Sequence, residues 1–147
     1  PMFDSSIADL KPYAREILRQ IGKTLNSVEN RISLAGHTDA AQFAGGEKGF
    51  SNWELSANRA NSSRRELVVG GMDDSKVLRV VGLASTVMFD KNDPLNPVNR
   101  RISIVVLNKK TEMAILQEEG PESEVGSPEE AAPGSLRLPV AGRATAG

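Results

Sequence analysis

The sequence predicts an α/β fold, a two-layer α+β sandwich in which helices pack on a mixed sheet. Apolar residues recur every three or four positions in the longer patterned stretches, which indicates helices with one buried face. Shorter stretches either alternate apolar and polar residues or collect β-branched residues, which indicates strands. These stretches follow one another in the order α-β-α-β-β-α, and such interleaving favours helices layered on a sheet.

Length and composition limit the classes of function. The chain has 147 residues, a net charge of −1, no cysteine and one histidine. The length suits one domain, and the absence of cysteine excludes disulfides, thiolate metal sites and a cysteine nucleophile. We therefore expect no metal site and no cofactor. No apolar run reaches the roughly 18–20 residues of a membrane span, and the first residues lack the pattern of a signal peptide. Because the chain starts at Pro1, we expect it to be a fragment of a longer protein, with a strand lost before it.

The first two elements follow from periodicity and alternation. Between Leu10 and Leu25 the apolar residues form one stripe, with Pro12 in the first turn where proline is tolerated. The stretch "RISLAGHT" then alternates apolar and small polar residues, which predicts a strand that ends near Gly36.

The second helix has a clear start and end. Ser51 is followed three residues later by Glu54, the spacing of a capping box in which each residue pairs with the other's backbone. The helix should run to about Val69 and stop at the glycine pair 70–71.

The remaining elements are shorter. The run "MDDSKVLRVVGLAST" predicts a helical turn and then a strand near Arg79–Ser85. In "RRISIVVLN" β-branched residues occupy both faces, which predicts a central strand covered on both sides, and "KTEMAILQEE" predicts a last short helix. Residues 120–147 are rich in Pro, Gly, Ser and Glu and cannot bury enough apolar surface to offset their ordering entropy. We expect a domain at 1–119 and a disordered acidic tail at 120–147.

Asp39 follows the first strand, and His37 lies on the same face two residues earlier. A catalytic His–Asp pair needs a nucleophile on an activating turn, but no G-x-S-x-G or S-x-x-K motif is present, nor H-E-x-x-H or a P-loop. We therefore expect that the protein is not an enzyme and that His37 is a packed, hydrogen-bonded residue. Asp39 could also cap its own loop through the backbone.

Arg59 occupies the middle of the second helix among small residues. Its planar guanidinium suits a carboxylate, which leaves two interpretations. It could form a salt bridge with Asp39, or both residues could flank one pocket at the C-terminal end of the strand, where open α/β sheets commonly bind ligands. An acid and a base facing one pocket suit a zwitterion. The two Arg-Arg pairs lack interleaved aromatic residues in a net acidic chain, so we expect no nucleic-acid partner.

Four ordered motifs, "AGHTDA", "NWELSANRA", "GLAS" and "VNRRISIVVL", resemble the OmpA-like peptidoglycan-binding family over roughly residues 3–108. "FDSSIADLKP" resembles the family's approach to its first helix. The enlarged loop 40–50 and the acidic tail are most similar to the branch of that family found in flagellar motor stators. Two departures from the family pattern are Ser63, where an aliphatic residue is more usual, and "GLAS" in place of G-x-G-E.

The resemblance implies a βαβαβ domain that binds the diaminopimelate of the peptidoglycan stem peptide without covalent chemistry. Family positions map the ligand's main contacts onto Asp39 and Arg59, and further contacts onto Thr38, Asn52, Leu55, Arg100 and Arg101. It also implies a periplasmic domain of a Gram-negative inner-membrane protein that anchors the stator to the cell wall, as a homodimer with a stator A subunit as partner. The alternative within the family is a domain of an outer-membrane protein of the OmpA or Pal type.

Overall fold

The computed structural model describes residues 1–41 and 50–118. Helices and strands follow in the predicted order, with short 3₁₀ turns before the second and third strands: α1 Pro12–Leu25, β1 Ile32–Gly36, α2 Asn52–Val69, β2 Val77–Gly82, β3 Ile102–Val106 and α3 Lys109–Glu118. The predicted disordered tail and most of the long loop after β1 lie outside the described residues.

The sheet has the order β2-β1-β3, with β2 parallel and β3 antiparallel to β1. Gly36 lies opposite Gly82 on one side and Ile102 on the other. The prediction that β3 is the central, covered strand is therefore wrong, because β1 takes that place and Val105 and Val106 are about half exposed. Valine and isoleucine favour any pleated strand through their stiff side chains, so their presence on both faces did not indicate a central position.

The apolar core lies between the sheet and the two longer helices. Ile32 and Leu34 of β1 are completely buried, as is Leu67 of α2. The core cluster consists of Phe3, Leu10, Ala14, Leu18, Ile32, Leu34, Leu67 and Met72. The predicted fold class, helices packed on a mixed sheet, is thus confirmed.

The ends of α2 match the prediction. The Ser51 amide donates to Glu54 Oε1 at 2.7 Å, and Ser51 Oγ accepts from the Trp53 amide at 3.1 Å, so the capping box is present. At the other end Gly71 has φ of +124°, a conformation that glycine adopts without strain. None of the helices in residues 1–41 and 50–118 is long and apolar enough to cross a membrane.

Strand β2 lies slightly earlier than predicted. A 3₁₀ turn at Asp74–Lys76, capped by the Asp73 side chain, leads straight into Val77. The strand ends at Gly82 rather than Ser85, because Ala84 adopts φ of +50° and turns the chain away from the sheet.

Gly36 sets the distance between β1 and α2. A Cβ atom at this position would lie 1.9 Å from the carbonyl oxygen of Ser56, so the helix backbone lies directly on the end of the strand. Arg59 is one helical turn beyond Ser56 and therefore starts beside the residues that follow β1. The backbone contact at Gly36 thus positions the candidate site.

Candidate functional site

Asp39 is almost buried just beyond β1, with 7% of its surface exposed. Its Oδ2 atom accepts a hydrogen bond from Arg100 Nη1 at 3.0 Å, and its Oδ1 atom accepts from the Ala41 amide at 3.1 Å. The loop-capping interpretation is therefore confirmed, whereas the cationic partner is Arg100 and not Arg59. Because a carboxylate offers about four acceptor positions, Asp39 retains capacity for a donor from a ligand.

Arg59 is completely buried, and backbone carbonyl groups surround its guanidinium. Nε donates to Ile7 O at 2.9 Å, Nη2 to Asp4 O at 2.9 Å and Nη1 to His37 O at 3.2 Å. The Phe3 ring lies against the same group, with 4.8 Å between its centroid and Arg59 Cζ. A guanidinium carries five N–H groups, so these three carbonyls leave two of them for another acceptor.

Residues 3–7, here called the N-terminal cover, supply most of that environment. Ser6 lies within the cover and has φ of +62°, a conformation that serine rarely adopts. Ala84, two residues after β2, is the other residue outside glycine with positive φ among those described, and its carbonyl accepts the Thr38 amide at 2.9 Å. Unusual backbone conformations of this kind are found preferentially at functional sites.

The charges of the cluster do not balance. Burial, and next to it the charge of Arg100, lowers the pKa of Arg59 to about 10, while Asp39 acts in the opposite direction. Arg59 therefore stays protonated at neutral pH, and two arginines face one aspartate. A buried excess of one positive charge favours an additional anion, and a carboxylate matches the guanidinium geometry.

Comparison with known proteins agrees with this fold and this arrangement of motifs. A model of the OmpA family matches residues 2–101. The chain belongs to the OmpA family. It is 61% identical over 118 residues to Motility protein B of Escherichia coli K12, an alignment that covers 80% of this chain and 38% of the relative. The resemblance to the stator branch of the family is thus confirmed, although the chain spans less than two fifths of that relative.

Solved structures give the same fold. The C-terminal domain of Helicobacter pylori MotB superimposes with a TM-score of 0.64 at 19% identity, covering 79% of this chain and 89% of that one. The peptidoglycan-associated lipoprotein of Burkholderia pseudomallei superimposes with a TM-score of 0.56 at 26% identity, covering 72% and 87%. The first of these likenesses concerns the fold alone.

In this OmpA-family domain the two arginines of the "NRR" motif point to different places. Arg100 donates from Nε to Phe3 O at 2.8 Å as well as to Asp39, and so joins the N-terminal cover to the site. Arg101 instead donates from Nη2 to Val87 O at 3.2 Å, and its Cζ atom lies 5.8 Å from the Phe89 ring centroid. The structure therefore brings Arg100 into the cluster and leaves Arg101 beside it.

Of the smaller predicted residues, Thr38 and Asn52 are hydrogen-bonded to the segment around Asp39. Thr38 is buried and its hydroxyl donates to Asp39 O at 2.8 Å. Asn52 Nδ2 donates to Ala41 O at 2.8 Å, which ties the start of α2 to the loop that Asp39 caps. Leu55 is buried on the same helix, with 4% exposure.

His37 is packed as predicted. It is 2% exposed, and its Nε2 atom lies 3.0 Å from Ser103 Oγ. Burial, with a smaller contribution from the positive charge of Arg101, lowers the pKa of His37 to about 4. The imidazole is therefore neutral at pH 7.

Several contributors to the site were missed from the sequence. The carbonyl groups of Asp4 and Ile7 hold Arg59, but a backbone contact has no side-chain signature. Asn99 is 1% exposed, accepts the Asp90 amide at 2.8 Å and donates to Asp93 O at 3.2 Å. Its position directly before Arg100, inside a motif already singled out, was the one available signal.

Proposed function

We propose that this domain binds peptidoglycan non-covalently and recognises the diaminopimelate end of the stem peptide. The observation that carries the proposal is the cluster of buried Asp39 and Arg59 with the nearly buried Arg100, which holds one more positive than negative charge. Membership of the OmpA family and the likeness to a peptidoglycan-associated lipoprotein support it.

The free end of diaminopimelate carries an ammonium and a carboxylate on one carbon. In the proposed complex the ammonium donates to the unused acceptor positions of the Asp39 carboxylate. The carboxylate binds the two remaining N–H groups of Arg59, with Arg100 contributing charge from the other side. Because Arg59 is fully buried, the ligand reaches it only when the surrounding residues shift, and the N-terminal cover, whose carbonyl groups bond Nε and Nη2, is the segment that we propose moves. Thr38, Asn52 and Leu55 line the site and keep the Asp39 loop in place.

We further propose that the domain anchors a flagellar motor stator to the cell wall. Its identity of 61% with a motility protein supports this role. The domain would then lie in the periplasm as part of a Gram-negative inner-membrane protein, act as a homodimer, and belong to a complex with the stator A subunit. In this role it binds and performs no chemistry.

Co-sedimentation with purified diaminopimelate-type peptidoglycan tests the binding proposal. Asp39→Asn removes the charge that pairs with the ligand's ammonium while it keeps the side chain's size, and we expect it to abolish co-sedimentation. The matched control is Asp74→Asn, because Asp74 also pairs with an arginine, Arg64, at 2.8 Å but lies at an exposed position. Unchanged co-sedimentation of Asp39→Asn would overturn the assignment of the site.

A second candidate is a wall-binding domain of an outer-membrane protein of the OmpA or Pal type. The likeness to the Burkholderia lipoprotein favours it, at 26% identity. The two candidates share one ligand, and the full-length protein separates them. An N-terminal membrane helix supports the stator, whereas a lipid-attachment motif or a barrel supports the second candidate.

A further inference from the structure

The loop between β2 and β3 forms an open groove next to the Asp39 cluster. The groove has a volume of about 540 Å³, and its walls are formed by Phe89, Asp90, Lys91, Asn92, Asn96 and Val98. Phe89 is 71% exposed, the largest exposed fraction among the big apolar side chains of the described residues. We propose that this groove binds the glycan strand of peptidoglycan, with a pyranose ring stacked on Phe89. The inference rests on the proposed function, because it adds a second contact with the same polymer.

The loop is held in one conformation, as a binding surface requires. Asp90 Oδ1 accepts the amides of Asn92 at 3.1 Å and Asp93 at 3.2 Å, and Asp90 Oδ2 accepts Asn96 Nδ2 at 2.9 Å. The buried Asn99 side chain also stabilises the loop, because its Oδ1 atom accepts a hydrogen bond from the Asp90 amide. A groove that is formed before binding loses little conformational entropy when a ligand enters.

The Phe89 ring is oriented although it is exposed. The Arg101 guanidinium lies over it, with 5.8 Å from Cζ to the ring centroid, and Arg101 is itself fixed by its bond to Val87 O. Arg101 can therefore cover one side of the ring only, which leaves the remainder of the ring to a ligand.

The groups along the groove match the chemistry of an N-acetylated sugar. A pyranose presents an apolar face of C–H groups, which an aromatic ring can cover, and a rim of hydroxyl and acetamido groups. The Lys91 ammonium and the side-chain amide of Asn92 have no hydrogen-bond partner among the described residues, so both are available to that rim. Pockets of this type combine an apolar contact with a few polar groups that fix the orientation.

A backbone hydrogen bond joins the loop that carries the groove to the segment that carries Asp39. The Ala40 amide, next to Asp39, donates to Pro94 O of the loop at 3.0 Å. Arg100 of the cluster and Arg101, whose guanidinium lies over the Phe89 ring, are consecutive residues, about 3.8 Å apart between Cα atoms. A stem peptide of three to five residues reaches at most about 10–18 Å when extended. One peptide and the sugar that carries it can therefore occupy both places at once.

An alternative use of the loop is contact with a protein. Leu95, 61% exposed, lies in the same loop but does not line the groove. A protein partner would bury Leu95 together with Phe89, because exposed apolar side chains that lie together are typical of interfaces. A sugar in the groove contacts Phe89 and leaves Leu95 free, so Leu95→Ala is the matched control for Phe89→Ala.

The test measures the affinity of the chain for three ligands by NMR titration: a peptide-free β-1,4-linked N-acetylglucosamine oligosaccharide, a free diaminopimelate-containing stem tripeptide, and the disaccharide that carries this peptide. We expect the disaccharide-peptide to bind roughly three- to tenfold more tightly than the free peptide. Phe89→Ala should abolish that difference without changing affinity for the free peptide. Leu95→Ala should leave both affinities unchanged, and the oligosaccharide alone should shift the Phe89 and Asn92 signals.

Two results would overturn the inference. One is equal affinity for the free peptide and the disaccharide-peptide together with no response of Phe89 to the oligosaccharide. The other is that Phe89→Ala and Leu95→Ala both weaken the homodimer proposed above, measured by analytical ultracentrifugation, while neither changes sugar binding; this result would assign the loop to a protein contact. If the protein binds the oligosaccharide through Phe89 but does not bind the free peptide, the diaminopimelate proposal is contradicted and the glycan site is supported.

Discussion

The residues of β1 and the residues directly after it, here called the apolar end and the polar end, are almost equally buried but are stabilised by different interactions. Ile32 and Leu34 lie in the apolar core with no exposed surface, and beyond Gly36 the residues His37 and Thr38 are only 2% exposed. The first pair is stabilised by packing. The second pair belongs to a polar cluster whose hydrogen-bond partners come from the N-terminal cover, α2 and the residues before β3.

This difference indicates what each end is for. Burying apolar side chains stabilises the fold directly, at about 25 cal/mol per Å² of surface removed from water. Burying an arginine and an aspartate costs desolvation that their hydrogen bonds largely offset, so the net gain is small. A polar cluster that contributes little net stability at such a cost is better explained by ligand binding than by folding.

The largest effect is expected at Arg59. Arg59→Ala leaves the carbonyl groups of Asp4, Ile7 and His37 without their donor and opens a cavity beside Phe3. We expect it to lower the free energy of unfolding by about 3–5 kcal/mol, measured by urea denaturation. Arg64→Ala on the same helix is the control, since its partly exposed pair with Asp74 should contribute less than about 1 kcal/mol. Equal, small effects of the two substitutions would show that these carbonyl groups are not left buried and unpaired when Arg59 is removed.

Leu34→Ala tests the apolar end of the same strand. Removing this completely buried side chain should lower the free energy of unfolding by about 3 kcal/mol in the same urea experiment. The Leu34 side chain makes no hydrogen bond with the polar cluster. The folded fraction of Leu34→Ala should therefore still co-sediment with peptidoglycan. A loss of binding in fully folded Leu34→Ala would contradict the separation between the two ends.

The sequence predicts the apolar end of β1 and the polar cluster to different extents. Apolar periodicity located α1, and the capping box located α2, because both are local patterns. The central position of β1 was missed, since strand order depends on pairing that β-branched composition does not encode. Asp39 and Arg59 were found through motif and chemistry, but the Asp39–Arg100 pair joins residues 61 positions apart and requires the sheet order. The carbonyl contacts around Arg59 could not be predicted, because every residue has a backbone carbonyl group.

A smaller, pH-dependent effect is expected from His37. Its pKa is about 4 in the folded protein, below the ordinary value of 6.5, so the unfolded chain takes up the proton first as the pH falls. Stability is therefore complete above about pH 6.5 and declines towards pH 4. Between pH 7 and pH 5 the loss attributable to His37 should be about 2 kcal/mol. Urea denaturation at both pH values should show this loss in the wild type, whereas the free energy of unfolding of His37→Gln should change less between pH 7 and pH 5. The same change in both proteins would contradict the lowered pKa of His37.

The measurement that tests the central claim most directly compares two stem peptides by isothermal titration calorimetry. They differ only at one residue, diaminopimelate in one and lysine in the other, so that the second lacks the carboxylate beside the terminal ammonium. If Asp39 holds the ammonium and Arg59 with Arg100 holds the carboxylate, the diaminopimelate peptide should bind at least tenfold more tightly, the effect of roughly one charge-assisted bidentate contact. Equal affinity for the two peptides would contradict recognition of a zwitterion by this cluster.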